Sequence, residues 1–104
     1  MIIRKTVTFE AAHTLAFHNS IHGHSYEVTV ELEGDLIRAH DELSGVLMPF
    51  GMIEGIIKDK LDHKDLNKVM DKPTMENVAL YIQRLFPTSK IVLRRPTCGE
   101  EVEL

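Results

Sequence analysis

His22-Gly23-His24-Ser25-Tyr26-Glu27-Val28-Thr29-Val30-Glu31-Leu32-Glu33 is the stretch that decides the fold. Tyr26, Val28, Val30 and Leu32 share one parity, and Glu27, Thr29, Glu31 and Glu33 share the other. Alternation with period two is the signature of a strand with one buried face. Upstream, Ile3, Val7, Phe9 and Ala11 share a parity into which only Lys5 intrudes, with Arg4, Thr6, Thr8 and Glu10 opposite. That predicts a second half-buried strand over the first thirteen residues. A polar loop near residues 17–20 joins the two, and antiparallel pairing is the natural connection.

After Gly34-Asp35 the period changes. Residues 35–49 are irregular, with a short strand predicted at 45–48 and His40 placed at the surface among Arg38, Asp41 and Glu42. Phe50, Ile53, Ile56, Ile57 and Leu61 then recur at helical spacing, against Glu54, Lys58 and Asp59. A second helix is predicted from the run Pro73-Thr74-Met75-Glu76-Asn77, with Thr74 as N-cap and Glu76 in the positive first turn. Its buried stripe is Val78, Ile82, Leu85 and Phe86, and Pro87 ends it. Residues 90–94 and 101–104 read as two closing strands. The order strand, strand, helix, helix, strand, strand is an α+β domain. Two helices cover one face of a four-stranded sheet, so the other face and the edges call for a partner, and we expect a homo-oligomer.

The composition narrows the class. The 104 residues suit one domain spanning 1–104, with 12 Lys+Arg against 16 Asp+Glu and a net charge of −4. That balance argues against nucleic acid as the main partner. No apolar run approaches the ~18 residues of a membrane span, and the start lacks a secretory segment, so a cytoplasmic protein is expected. The single Cys98 excludes an internal disulfide and carries no local signature of a nucleophile, which leaves a small filler thiol as its default. Six histidines are the unusual feature, four of them between positions 13 and 24.

His22 and His24 stand two apart in a strand and so point to one side, continuing the apolar face of Tyr26 and Val28. His13 has the parity of Val7, Phe9 and Ala11. Pairing of the two strands brings the three imidazoles together, with Gly23 leaving room between them. Three neutral imidazoles suit Zn²⁺ and leave a fourth position open for water or substrate. A bare His-x-His also fits unrelated polar residues at a strand end; the parity of His13 is what favours the metal. Asp62-His63 reads either as a solvated turn or as an imidazole that transfers protons beside a carboxylate.

Four motifs appear in order: Phe9-Glu10-Ala11-Ala12-His13, Ile21-His22-Gly23-His24-Ser25-Tyr26, Leu61-Asp62-His63 with Leu66-Asn67, and Pro73-Thr74-Met75-Glu76-Asn77. Together they resemble the 6-pyruvoyltetrahydropterin synthase family, which includes the 6-carboxytetrahydropterin synthases of the queuosine and archaeosine routes. The resemblance runs from the first strand to near residue 97. It implies the tunnelling fold, a four-stranded antiparallel sheet with two helices on one face, assembled as trimers and hexamers. It implies Zn²⁺ on His13, His22 and His24, and a pterin substrate, 7,8-dihydroneopterin triphosphate, which the family converts with loss of triphosphate. Side-chain cleavage accompanies that loss in carboxypterin-forming members. It also implies that Asp62 and His63 are the catalytic pair.

The chain departs from that pattern in three places. His18 stands where relatives commonly carry a catalytic cysteine, and it reads as a substitute base, a loop histidine or a fourth metal ligand. Arg94 stands where the pterin-anchoring glutamate is expected, with Glu100 and Glu101 as possible substitutes downstream. A carboxylate accepts two hydrogen bonds from the amino-pyrimidinone edge of a pterin, whereas a guanidinium only donates. Pro49-Phe50 replaces the usual acidic residue and phenylalanine at the first helix start. The expectation is a zinc-dependent 6-carboxytetrahydropterin synthase-like lyase. The alternatives are a 6-pyruvoyltetrahydropterin synthase, a dihydroneopterin-cleaving enzyme, or a non-catalytic member that kept fold and metal.

Overall fold

The computed structural model describes residues 1–37 and 45–104; the expectation for His40 lies outside them. The two alternating segments form strands β1 (Ile2–Leu15) and β2 (His18–Glu33), paired antiparallel with Phe9 opposite Tyr26 and His13 opposite His22. The connection is shorter than the predicted loop, because β2 already pairs at His18 with Leu15 across a register irregularity after His13. Backbone pairing needs no apolar alternation, so this exposed stretch left no pattern to read.

Helix α1 (Phe50–Leu61) buries Ile53, Ile57 and Leu61. Phe50, predicted on that stripe, opens the helix and is 51% exposed. Pro49 supplies no side-chain cap, and its carbonyl accepts the amides of Met52 and Ile53. Helix α2 (Met75–Leu85) starts as predicted, with Thr74 Oγ1 accepting the Asn77 amide at 3.2 Å. It buries Met75, Val78, Ala79 and Ile82, while Phe86 packs just beyond its end. Between the helices, Lys64–Asp65 forms β3, followed by a 3₁₀ turn at Leu66–Lys68. The chain closes with β4 (Lys90–Arg95), a second 3₁₀ turn at Pro96–Cys98, and β5 (Glu100–Glu103).

The sheet order is β3-β1-β2-β4-β5. Its extra strand is the two-residue β3, parallel to β1 at Ala11 and Ala12, so the sheet is mixed rather than purely antiparallel and has five strands instead of four. The predicted strand at 45–48 is instead turn and bend, with Ile37 N–H donating to Val46 O at 2.6 Å and Gly45 N–H donating to Ile37 O at 3.1 Å. Gly45, at φ 91°, breaks any extended run there.

Both helices cover the face made by Val7, Phe9, Val28, Val30, Ile91 and Leu93, all at most 1% exposed. Burying a side chain of this size contributes roughly 1.5–3 kcal/mol, so this face fixes the register. Phe9 and Tyr26 stack at 4.8 Å within it. β4 pairs with β2 only from Glu27 to Glu31, so the hairpin end carrying the histidines runs on beyond β4. Among the described residues, no helix is long and apolar enough to cross a membrane.

Candidate metal centre and adjoining cleft

The parity that buries Phe9 and Tyr26 carries His13, His22 and His24 to the same face, further along the hairpin. His13 is fully buried. Its Nδ1 lies 2.7 Å from the Pro73 carbonyl, and His22 Nδ1 lies 2.9 Å from the Ser20 carbonyl. A carbonyl only accepts, so each Nδ1 carries a proton and donates it. In its neutral form a ring with its proton on Nδ1 presents its lone pair at Nε2, and the two Nε2 atoms face each other at 3.0 Å. His24 Nε2 is buried without any partner.

Three convergent lone pairs repel unless a cation lies between them. One ligand atom from each of the three residues falls within a 4.8 Å span. Zinc–nitrogen bonds of about 2.0–2.1 Å put tetrahedral ligand atoms roughly 3.3 Å apart. The residues fit such an ion, and the outward Nδ1 bonds fix ring orientation as outer partners of metal-bound histidines do. Burial, more than any neighbouring charge, lowers the pKa of His13. It also brings His24 down to about 4, with the Arg95 guanidinium, His13 and His22 adding to the effect. Both rings are thus held in the neutral form that binds metal.

His18 stacks face to face on His22 with ring centroids 4.1 Å apart, and it is not one of the three convergent ligands. Of its three readings, the fourth-ligand one has no support in this geometry.

Asp62 and His63 sit where α1 hands the chain to the β1 edge. The Glu10 amide donates to Asp62 Oδ1 at 2.9 Å, and the His63 amide donates to the Glu10 carbonyl at 2.6 Å. His63 Nε2 lies 3.5 Å from Asp62 Oδ2. The Glu10 amide, followed by Lys58 and His63, holds the Asp62 carboxyl below the usual range, so it stays a fixed anion beside the imidazole. His63 takes a left-handed φ of 57°, uncommon for a residue with a side chain, and its side chain is 80% exposed. Asn67 ties the turn to β1, because its side-chain amide bonds both the N–H and the C=O of Thr14.

A cleft of about 630 Å³ runs across this end of the sheet, walled by His63 and Asp65 on one side and by Thr97 and Cys98 on the other. Gly23 and the Glu10–Ser25 pair form its floor. By parity those floor side chains lie on the face opposite the imidazoles. Cys98, the expected filler, is exposed in this cleft with Sγ 3.9 Å from His24 Nδ1.

The remaining predicted residues divide by parity. Arg94 and Glu101 pair at 2.8 Å on the outer face, where Arg94 also meets Glu27 at 3.5 Å and Thr29 at 3.3 Å. Within the chain neither reaches the histidine centre, because alternation along β4 turns Arg94 away from Leu93. The inward residue is Arg95, in step with Ile91 and Leu93, and it pairs with Glu100 at 3.0 Å. Continuing the apolar parity of β4 by one residue would have found it.

A sequence model of the 6-pyruvoyl tetrahydropterin synthase family matches residues 2–99. The chain belongs to that family, one of pterin-processing lyases. It is 37% identical over 81 residues to the dihydroneopterin monophosphate aldolase of Pyrococcus furiosus, a match covering 72% of this chain and 65% of that protein, just under two thirds of its length. It is 34% identical to a putative 6-carboxy-5,6,7,8-tetrahydropterin synthase of Archaeoglobus fulgidus, covering 96% of this chain and 88% of the relative. Against the 6-carboxy-5,6,7,8-tetrahydropterin synthase of Synechocystis the identity is 33%, with coverages of 78% and 70%. The structure of Caenorhabditis elegans 6-pyruvoyl tetrahydropterin synthase superposes with a TM-score of 0.68 at 22% identity, over 100% of this chain and 95% of that one. The fold is therefore the tunnelling fold, with β3 as an added edge.

Proposed function

We propose that the protein is a zinc-dependent lyase of the 6-carboxytetrahydropterin synthase type, acting on the side chain of 7,8-dihydroneopterin triphosphate in the cytoplasm, on the route to queuosine or archaeosine precursors. The observation that carries this is the convergence of one ring nitrogen from each of His13, His22 and His24 within 4.8 Å of one another, with His13 Nε2 and His22 Nε2 facing at 3.0 Å. Three protein ligands leave a position for substrate, which distinguishes a reaction centre from a closed structural site. When bound, the metal supplies Lewis-acid polarisation of a side-chain oxygen. His63 moves a proton at the substrate side chain, and the Asp62 carboxylate supports the imidazolium so formed. His18, stacked on His22, serves as the base in place of the missing thiol. The open edges at the short β3 and β5, together with the uncovered face, support assembly as a homotrimer or hexamer.

A dihydroneopterin-cleaving aldolase is the second reading. It is favoured by a histidine rather than a thiol at position 18 and by the 37% identity to the aldolase. Incubating zinc-loaded protein with 7,8-dihydroneopterin triphosphate and, separately, with 7,8-dihydroneopterin monophosphate, and identifying products by mass spectrometry, decides between the two. Acetaldehyde with 6-carboxytetrahydropterin is expected. A 6-hydroxymethyl pterin with a phosphorylated glycolaldehyde would replace it by the aldolase. Bound zinc without turnover would leave a non-catalytic member.

A further inference from the structure

Phe9 pairs with Tyr26 across β1 and β2, and Arg95 pairs with Glu100 across β4 and β5, one position beyond the last β2–β4 partners, Glu27 and Arg94. Arg95 ends a parity of buried aliphatics, and its side chain is only 13% exposed. Its Nη2 donates to Glu100 Oε1 at 3.0 Å, and its guanidinium carbon lies 6.0 Å from the Tyr26 ring centre. The Tyr26 ring in turn stands 5.9 Å from His24, nearly perpendicular to it. Arg95 Nε and Tyr26 Oη are both buried without a partner.

The pair is unequal in its solvation. Glu100 is 47% exposed, so water screens much of its charge, while the guanidinium is mostly withdrawn from water. A buried cation with a solvated counterion leaves positive potential on its own side of the sheet, and that is the side where the imidazoles converge. Arg94 does the opposite: it shares its charge with Glu101 and Glu27 on the far face.

We propose that Arg95 is a specificity-determining residue of the metal centre, making its open position select anionic oxygen ligands, such as carboxylate, phosphate or enolate oxygen, over neutral ones. This rests on the metal reading above. Arg95 acts through its field, with the Tyr26 ring as the neighbour it shares with His24, and without touching the ligand, so its removal weakens anions and spares neutral donors. Glu100 acts in the opposite sense.

The test uses the full chain loaded with Co²⁺, whose visible spectrum reports the open position, titrated with acetate and with imidazole. Arg95→Met is expected to weaken acetate by about tenfold, the order of effect of one nearby unit charge, and to leave imidazole within about twofold. Arg95→Lys keeps the charge and should restore most of the acetate affinity. Glu100→Gln should strengthen acetate severalfold, and it keeps the test usable if Arg95→Met does not fold. Cobalt bound with acetate affinity unchanged across these variants overturns the assignment, as does an equal loss for imidazole. Wild-type protein that binds no cobalt overturns the metal reading itself.

Discussion

Replacing His24 with alanine separates the metal centre from the fold. In the metal-free wild type His24 Nε2 is a buried acceptor with no donor, which costs about 1–3 kcal/mol. Truncation removes that penalty along with the packing of the ring, so the metal-free variant should lie within about 1 kcal/mol of wild type. The metal-bound states should differ far more. Free zinc at ~1,000 times its dissociation constant stabilises the wild type by about 4 kcal/mol, a rise in Tm of roughly 15–30 °C for a domain of this size. Four-ligand structural zinc sites bind with about 10–16 kcal/mol, so one lost ligand lowers affinity by roughly two to three decades. At the same free zinc, the thermal shift of His24→Ala should fall below about 10 °C, read by differential scanning calorimetry with metal analysis alongside. His18→Ala should keep the full shift. Undiminished zinc stabilisation in His24→Ala would remove it from the ligand set. A metal-free variant destabilised by several kcal/mol would make the histidine cluster a packing feature.

Two further outcomes follow from the same residues. The ordinary imidazole pKa is 6.5 and His24 sits near 4 in the fold, so between those values the unfolded chain takes up a proton that the folded chain refuses. Metal-free stability should therefore be level above about pH 7 and fall as pH drops from 6.5 toward 4; His13 acts in the same sense. The lowered Asp62 contributes only below that window, near and under its ordinary 3.8. Urea midpoints across this range check it, and stability that stays flat down to pH 4.5 would contradict the burial of the two rings. His63→Gly removes the imidazole and relieves a left-handed backbone, so stability should hold or rise by up to about 1 kcal/mol. Turnover should fall roughly 10²–10⁴-fold, and unimpaired turnover would take the proton-transfer role away from His63.

What the sequence disclosed and what it hid follow one physical rule. Parity is legible wherever one face is buried, so β1, β2 and the three histidines could be placed before any coordinates. Cap chemistry is equally local, which is why Thr74 marked the start of α2. Contacts that use only backbone left no trace: the two-residue β3, the pairing of His18 with Leu15, and the turn that replaces the strand at 45–48. Arg94 was singled out by a motif alignment, whereas the alternation of β4 turns it to the outer face of the chain, beside Glu101 and Glu27. The same alternation, carried one residue past Arg94, points to Arg95.

Core and centre are one device, because a single register sets both. Phe9 opposite Tyr26 and His13 opposite His22 are rungs of the same ladder, and the stacked aromatic pair is buried to 1%. A slip of one residue in β2 would expose Tyr26, Val28 and Val30 and would also send His22 and His24 to the outer face, away from His13. The hydrophobic cost of exposing those side chains is several kcal/mol, far more than three histidines could impose on the pairing. The apolar rows therefore hold the histidines together whether or not a metal is bound, and the centre is assembled before its ion arrives. That order of events is why His24→Ala is expected to cost metal affinity and not the fold.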